Sequence, residues 1–229
     1  MSFDICRIIT TGACCLAVVI IVFFCAAAGE PVAVDPVLEF YCGRAAAVFT
    51  ARDPIEHGLC FSFTVRSYYK SVGRRGNIED VDSAVIRYHF SFGHLDSQKT
   101  VLCTSDKLTD IDFSFPNVFS EHYLYNFYPN DTGGVNIAIG FDTDSVGNNQ
   151  PVGLALIDRE QYILRWLYLF YPHKSGFRRF SRSFRMTEFR GFVFPDSLWE
   201  VGAAEGVFST DDYRLETCIE SIEIHPRNR

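Results

Sequence analysis

The chain has 229 residues, 48% of them hydrophobic and 15% aromatic, with 21 Lys+Arg against 28 Asp+Glu and a formal net charge of −7. That balance excludes nucleic acid as the partner, because phosphate binding needs a basic footprint, and it excludes a polybasic anchor on a membrane surface. With 22 Phe and 11 Tyr against two Met, the chain can fill a sizeable core, and its aromatics suit strands rather than disorder.

The first predicted element is a leader. Met1–Arg7 precedes an apolar run from Ile8 to Phe24, and Cys25-Ala26-Ala27-Ala28-Gly29 follows it. Ala26 and Ala28 fit the small-x-small pattern read by signal peptidase. Residues 1–28 are therefore expected to be a signal peptide, or an uncleaved membrane anchor, since the run approaches spanning length. Either outcome exports the remainder, 29–229, as a single β-rich domain in the periplasm or cell envelope. Four of the eight cysteines leave with the leader. Cys42, Cys60, Cys103 and Cys218 remain, too scattered for a zinc site, and they are either disulfide-bonded or buried thiols.

Asp35-Pro36 reads as an N-cap followed by proline in the first turn. Behind it Val37, Leu38, Tyr41, Ala45, Val48 and Phe49 recur at helical spacing, predicting an amphipathic helix from Val37 to Ala51 that closes at Asp53-Pro54. The period then changes to two. Leu59, Phe61, Phe63 and Val65 share one face of a strand, and Ala84, Ile86, Tyr88, Phe90 and Phe92 share one face of the next. A third strand covers about Lys99–Thr104. The stretch Ser105–His122 has no clean period and reads as loop with one helical turn.

Seven strands follow: Tyr123–Tyr128, Val135–Phe141, Val152–Asp158, Leu164–Tyr171, Arg178–Glu188, Phe192–Val201 and Tyr213–Ile224, parted by turn signals such as Arg190-Gly191. Short links without interleaved helices make consecutive strands antiparallel neighbours. The expected fold is mostly β: a curved antiparallel sheet or incomplete β-barrel, with the N-terminal helix packed on its concave face.

Signatures of catalysis are missing. The sequence holds no G-x-S-x-G, H-E-x-x-H, P-loop or G-x-G-x-x-G, and its six His are scattered. Asp131-Thr132-Gly133 is the aspartic-protease tripeptide, yet it occurs once and follows Tyr128-Pro129-Asn130, so it reads as a turn. Asp142-Thr143-Asp144 opens like a calcium loop, but Val146 and Gly153 occupy positions that need ligands. Asn130-Asp131-Thr132 is a glycosylation sequon. The expectation is a non-enzymatic protein with no catalytic residue, no cofactor and no metal.

Two features point to binding. Leu164–Tyr171 is apolar on both faces, which predicts cover on both sides. An inner face carrying Phe61, Phe63, Tyr88, Phe90, Trp166, Tyr168 and Phe184 has more apolar wall than one helix covers, so it encloses either an ordinary core or a ligand cavity. Arg182 lies on the apolar face of its strand, between Phe180 and Phe184. A lone buried charge there is costly. Arg182 either pairs with an acid such as Glu200 on the next strand or points into the cavity toward an anionic or carbonyl group.

Gly153-Leu-Ala-Leu-Ile-Asp158-Arg159, then Leu164-Arg165-Trp166, then Phe184-Arg-Met-Thr-Glu-Phe189-Arg-Gly191-Phe-Val-Phe194-Pro195, together with the strand out to Val201, resembles the bacterial lipoprotein-carrier (LolA/LolB-like) family. The likeness spans about residues 150–224. It implies an incomplete barrel with helices in its mouth, whose apolar cavity shields acyl chains in transit through the periplasm; the sequence departs from the carriers in offering only the irregular Ser105–His122, and not several lid helices, between the middle strands. The resemblance therefore implies lipid or an acylated protein as partner. An envelope protein partner and membrane contact through the N-terminal segment complete the expectation; a ligand-free structural or protein-interaction module of the same fold is the alternative, and a hydrolase a distant one.

Overall fold

A computed structural model describes residues 35–226 apart from 74, 109–110, 115, 121, 128–133, 144–149 and 205–211. Asp131-Thr132-Gly133, the sequon and the Asp144 stretch lie outside the described residues. Residues 35–229 form one compact unit.

The helix α1 spans Pro36–Arg52. Asp35 caps it, its Oδ1 accepting from the Val37 amide at 2.9 Å, and Asp53-Pro54 ends it, as expected. Ten strands follow: β1 (Phe61–Val72), β2 (Ile78–Ser91), β3 (His94–Cys103), β4 (Tyr123–Phe127), β5 (Asn136–Thr143), β6 (Val152–Asp158), β7 (Leu164–Tyr171), β8 (Phe177–Phe189), β9 (Phe192–Ala204) and β10 (Asp212–Ile224). All pair antiparallel in one open sheet of order β3-β2-β1-β10-β9-β8-β7-β6-β5-β4. The predicted curved sheet that stops short of a closed barrel, with a helix, is the fold observed.

The order departs from a simple meander at one place. The last strand, β10, lies beside β1, with Phe61 opposite Ile224 and Val72 opposite Asp212. Strands β3 and β4 are consecutive in sequence but occupy opposite edges of the sheet. Residues 104–122 must therefore cross the whole sheet, and a link of that length serves where a two-residue turn cannot. Its only regular piece among the described residues is a 3-10 turn at Asp106–Leu108.

Register shifts at Thr64/Val65, Leu156/Ile157 and Arg185/Met186 mark bulges, which bend strands and sharpen their twist. The bulge opposite Arg185 also explains a proline inside an inner strand. Pro195 pairs with Met186 and Ser197 with Arg185, so Asp196 is the extra residue and the missing proline donor falls at the irregularity. Asp196 then accepts from Arg185 Nε at 2.8 Å.

Two hairpins turn on two residues with positive φ, Phe92-Gly93 and Arg190-Gly191, the pattern of a type I′ turn. A Cβ on Gly93 would lie 2.3 Å from the Ile55 carbonyl oxygen, whereas one on Gly191 would meet nothing within 4 Å. Gly93→Ala is therefore expected to cost about 3 kcal/mol, from strain plus a backbone clash, and Gly191→Ala about 1 kcal/mol from strain alone. Urea denaturation of the two variants checks the difference.

Candidate functional site

One face of the sheet is covered, and the pairing registers define it. Phe61 and Phe63 of β1 lie opposite Phe90 and Tyr88 of β2. Leu167, Leu169 and Tyr171 lie opposite Phe184, Arg182 and Phe180, and Phe184 lies opposite Leu198. Arg182 apart, these side chains form one continuous apolar cluster. Phe61 stacks on Phe90 with ring centroids 4.6 Å apart, and Phe63 tilts against Tyr88 at 5.2 Å. The alternation of period two gathered these residues because each strand exposes every second side chain to the same side.

Of the eight expected wall residues, Phe61, Phe63, Tyr88, Phe90, Arg182 and Phe184 share this inner face. Trp166 and Tyr168 do not, and that placement corrects the expected wall. Leu167 and Leu169 point inward on β7, so their neighbours point out. Trp166, opposite Arg185 on β8, instead stacks diagonally on Trp199 of β9 at 5.1 Å. A strand apolar on both faces gives no parity signal, so in the sequence its aromatics and its leucines compete for the inner face on equal terms.

What covers the inner face is only partly α1. Leu38, Cys42 and Ala45 pack on Ile137, Ile139 and Ile157 of β5 and β6, and Val48 and Phe49 reach the main cluster. Over the rest lies the crossing segment. Leu108, Ile111 and Val118 are buried in the aromatic cluster, and Phe113 meets Phe63 edge-on at 5.6 Å. The segment without a period is thus a core segment. The signal was available: an irregular stretch carrying Leu108, Ile111, Phe113, Val118 and Phe119 is too apolar for a solvated loop.

Polar anchors hold it down. The Ile111 amide donates to Tyr88 Oη at 3.4 Å, and Tyr125 Oη donates to the Val118 and Ser120 carbonyls at 2.9 and 2.7 Å. Arg182 makes the third tie. Its Nε donates to Glu200 Oε2 at 2.6 Å, and its Nη1 reaches Asp112 Oδ2 at 3.1 Å and the Ser114 carbonyl at 3.4 Å. Tyr213 Oη donates to the other Glu200 oxygen at 2.5 Å. The pairing of Arg182 with Glu200, one of the two arrangements open from sequence, is the one present. Burial, chiefly, and the adjoining Glu200 push the Tyr213 phenol up, so it stays a donor. Burial alone pushes the Cys42 thiol up to about 12, and Cys42, Cys60, Cys103 and Cys218 are all unpaired thiols.

Asp112 and Asp158 share an electrostatic pattern. Burial opposes ionisation, yet the Ser114 hydrogen bonds and the Arg182 charge hold Asp112 below the usual carboxylate range. Bonds from the Gln161 and Glu160 amides and from Arg165 do the same for Asp158. Folded values below unfolded ones contribute stability that is complete above about pH 4 and lost as pH falls through the lowered values. An acid titration of stability is expected to show this loss, and Asp158→Asn is expected to flatten it.

One contact that spacing did not suggest joins Ser62 Oγ and His225 Nε2 at 2.9 Å. Ser62 is 2% exposed, and the nearby Glu223 is engaged by Arg87 at 2.8 Å. A nucleophile needs access and an oriented base, so the pair serves to fasten the end of β10 to β1.

No family model matches the chain, and no curated protein matches it. Among solved structures, the chain is similar to a domain named as an outer membrane lipoprotein-sorting protein from Vibrio parahaemolyticus, with 10% identity, TM-score 0.42, and cover of 82% of this chain and 95% of that one. It is also similar to a LolA superfamily protein from Nitrosomonas europaea, with 7% identity, TM-score 0.39, and cover of 82% and 94%. At those scores nothing about ligand or activity follows.

Proposed function

We propose that the chain is an exported, non-enzymatic binding or carrier protein of the bacterial cell envelope, which holds a lipid or a lipoprotein acyl chain against the inner face of its half-barrel. One observation carries this reading: an aromatic wall of Phe61, Phe63, Tyr88, Phe90 and Phe184 has as its cover an irregular segment held by a few polar bonds. Helices and strands hold their own backbone hydrogen bonds, whereas such a segment can lift by exchanging a handful of contacts. The exposed wall then offers an acyl chain the same contacts that Leu108, Ile111 and Phe113 make in the closed form. The leader supports export, and the periplasm is where such a cargo needs shielding from water.

The ligand-free structural module has its own supporting observation, since Leu108, Ile111 and Val118 already fill the inner face. Native mass spectrometry of the chain recovered from an expression host's periplasm, followed by lipid extraction and uptake of a fluorescent fatty acid, separates the two. A stoichiometric lipid or saturable uptake is expected. An empty protein that takes up nothing would sink the carrier reading in favour of the module. Phe63→Ser is expected to weaken uptake by about tenfold, from lost apolar contact, while Trp166→Ala on the opposite face leaves it unchanged.

A further inference from the structure

The helix α1 is sparsely charged on the side it turns away from the sheet and exposes large apolar side chains there. Between Pro36 and Ala51 only Glu39 and Arg44 carry charge. Leu38, Cys42 and Ala45 account for the packed face. The outward face carries Pro36, Val37, Phe40, Gly43, Ala47 and Ala51 together with the exposed Glu39, Arg44 and Thr50, and Val37 is 54% and Phe40 48% exposed. A surface helix ordinarily sets a row of charged residues there, and one with only two, beside exposed Val37 and Phe40, leaves more apolar surface than a solvated face needs.

Its first turns adjoin a second exposed apolar group. Phe40 and Tyr41 meet Tyr162 of the β6–β7 turn at 6.0 and 5.8 Å. The Arg159 amide of that turn bonds the carbonyl of Val135, which is 77% exposed. Arg44 lies over the Phe40 ring at 5.4 Å. Tyrosine, phenylalanine and a single arginine beside bare aliphatic surface are the mixture favoured at the boundary between lipid headgroups and acyl chains.

The connection of the chain names the occupant. The apolar run Ile8–Phe24 is long enough to enter a bilayer, and only the ten residues 25–34 separate it from Asp35. Fully extended, that linker reaches roughly 35 Å. Where the run is retained, α1 is the first described element after it in the chain, and the linker length leaves it within reach of a bilayer surface.

We infer that the outward face of α1, centred on Val37 and Phe40 and extended by Tyr162 and Val135, is a seat for the surface of a lipid bilayer. The attachment is hydrophobic: the net charge of −7 and the sparse charge of the helix leave no electrostatic attraction to anionic lipid. The seat is independent of whether the inner face takes a cargo.

The full chain, bound to phosphatidylcholine vesicles containing a phosphatidylcholine with a diazirine on its acyl chain, tests this by photolabelling and peptide mapping. Labels are expected on residues 36–47 in addition to 8–24, to the same extent when a third of the lipid is replaced by phosphatidylglycerol. Val37→Asp with Phe40→Asp is expected to cut labelling of that helix about tenfold while labelling of 8–24 persists. Labels confined to 8–24, or no denser on 36–47 than on the exposed Phe92 and Val101 of the β2–β3 hairpin, would overturn the inference. A second copy covering the helix would also suppress its labelling and count against it. Labels on Phe61 or Phe63 report cargo on the inner face, so failure of the seat and failure of the carrier reading are told apart.

Discussion

Arg182→Met lowers the stability of the domain by about 3 kcal/mol, read as a fall in the urea midpoint without a change in slope. The cause is the carboxylate left behind more than the lost attraction. Glu200 is 8% exposed and points inward from β9. It is held by Arg182 Nε on one oxygen and Tyr213 Oη on the other. Without the guanidinium a buried carboxylate has only a phenol to offset its desolvation. Glu200→Leu in the Arg182→Met background is therefore expected to recover most of the loss, because an apolar pair of similar volume removes the uncompensated charge. If the double variant is no more stable than Arg182→Met alone, the cost does not come from Glu200. The same change releases Asp112 and Ser114 of the crossing segment. Faster fatty-acid uptake by Arg182→Met is expected if that segment is the cover.

Phe184→Ala is expected to cost about 4 kcal/mol, in the upper part of the range for truncating a fully buried aromatic. Phe184 is 0% exposed and sits between Leu167 and Leu198 on neighbouring strands. Rigid strands on both sides leave the cavity little room to collapse. Trp166→Ala removes a larger side chain but from the opposite, half-exposed face, where the ring of Trp199 stacks on it. About 2 kcal/mol is expected there. Urea denaturation of the two variants compares the faces directly. A larger loss for Trp166 would mean that the outer face carries more of the core than the registers indicate.

The success with the strands and the failure with Trp166 have the same physical origin. Alternation between core and solvent is visible in β1 and β2, where Phe61, Phe63, Tyr88 and Phe90 alternate with Ser62, Thr64, Arg87 and His89. The pattern is missing from Trp166 to Tyr171 of β7, where neither side chain of an adjacent pair is charged or small and polar, and there the inward set is fixed by pairing with Phe184 and Arg182 on β8. Arg182 itself was readable as a charge in need of an acid, and Glu200 stands opposite it. Asp112, its second partner, lies 70 residues away in a segment without period, so no local pattern announces it.

Local chemistry determined the elements. The Asp35-Pro36 cap, the change from helical to alternating spacing, and the turn at Arg190-Gly191 each act within a few residues and each appears in the fold. Tertiary structure decided which strands meet. Nothing local tells β10 to pair with β1 or sends residues 104–122 across the sheet, because those contacts join residues up to about 160 positions apart and depend on covering an apolar face as a whole. The irregular segment is a cover, not a loop, for that reason: its conformation is set by the aromatic wall beneath it and by Arg182, Tyr88 and Tyr125 around it.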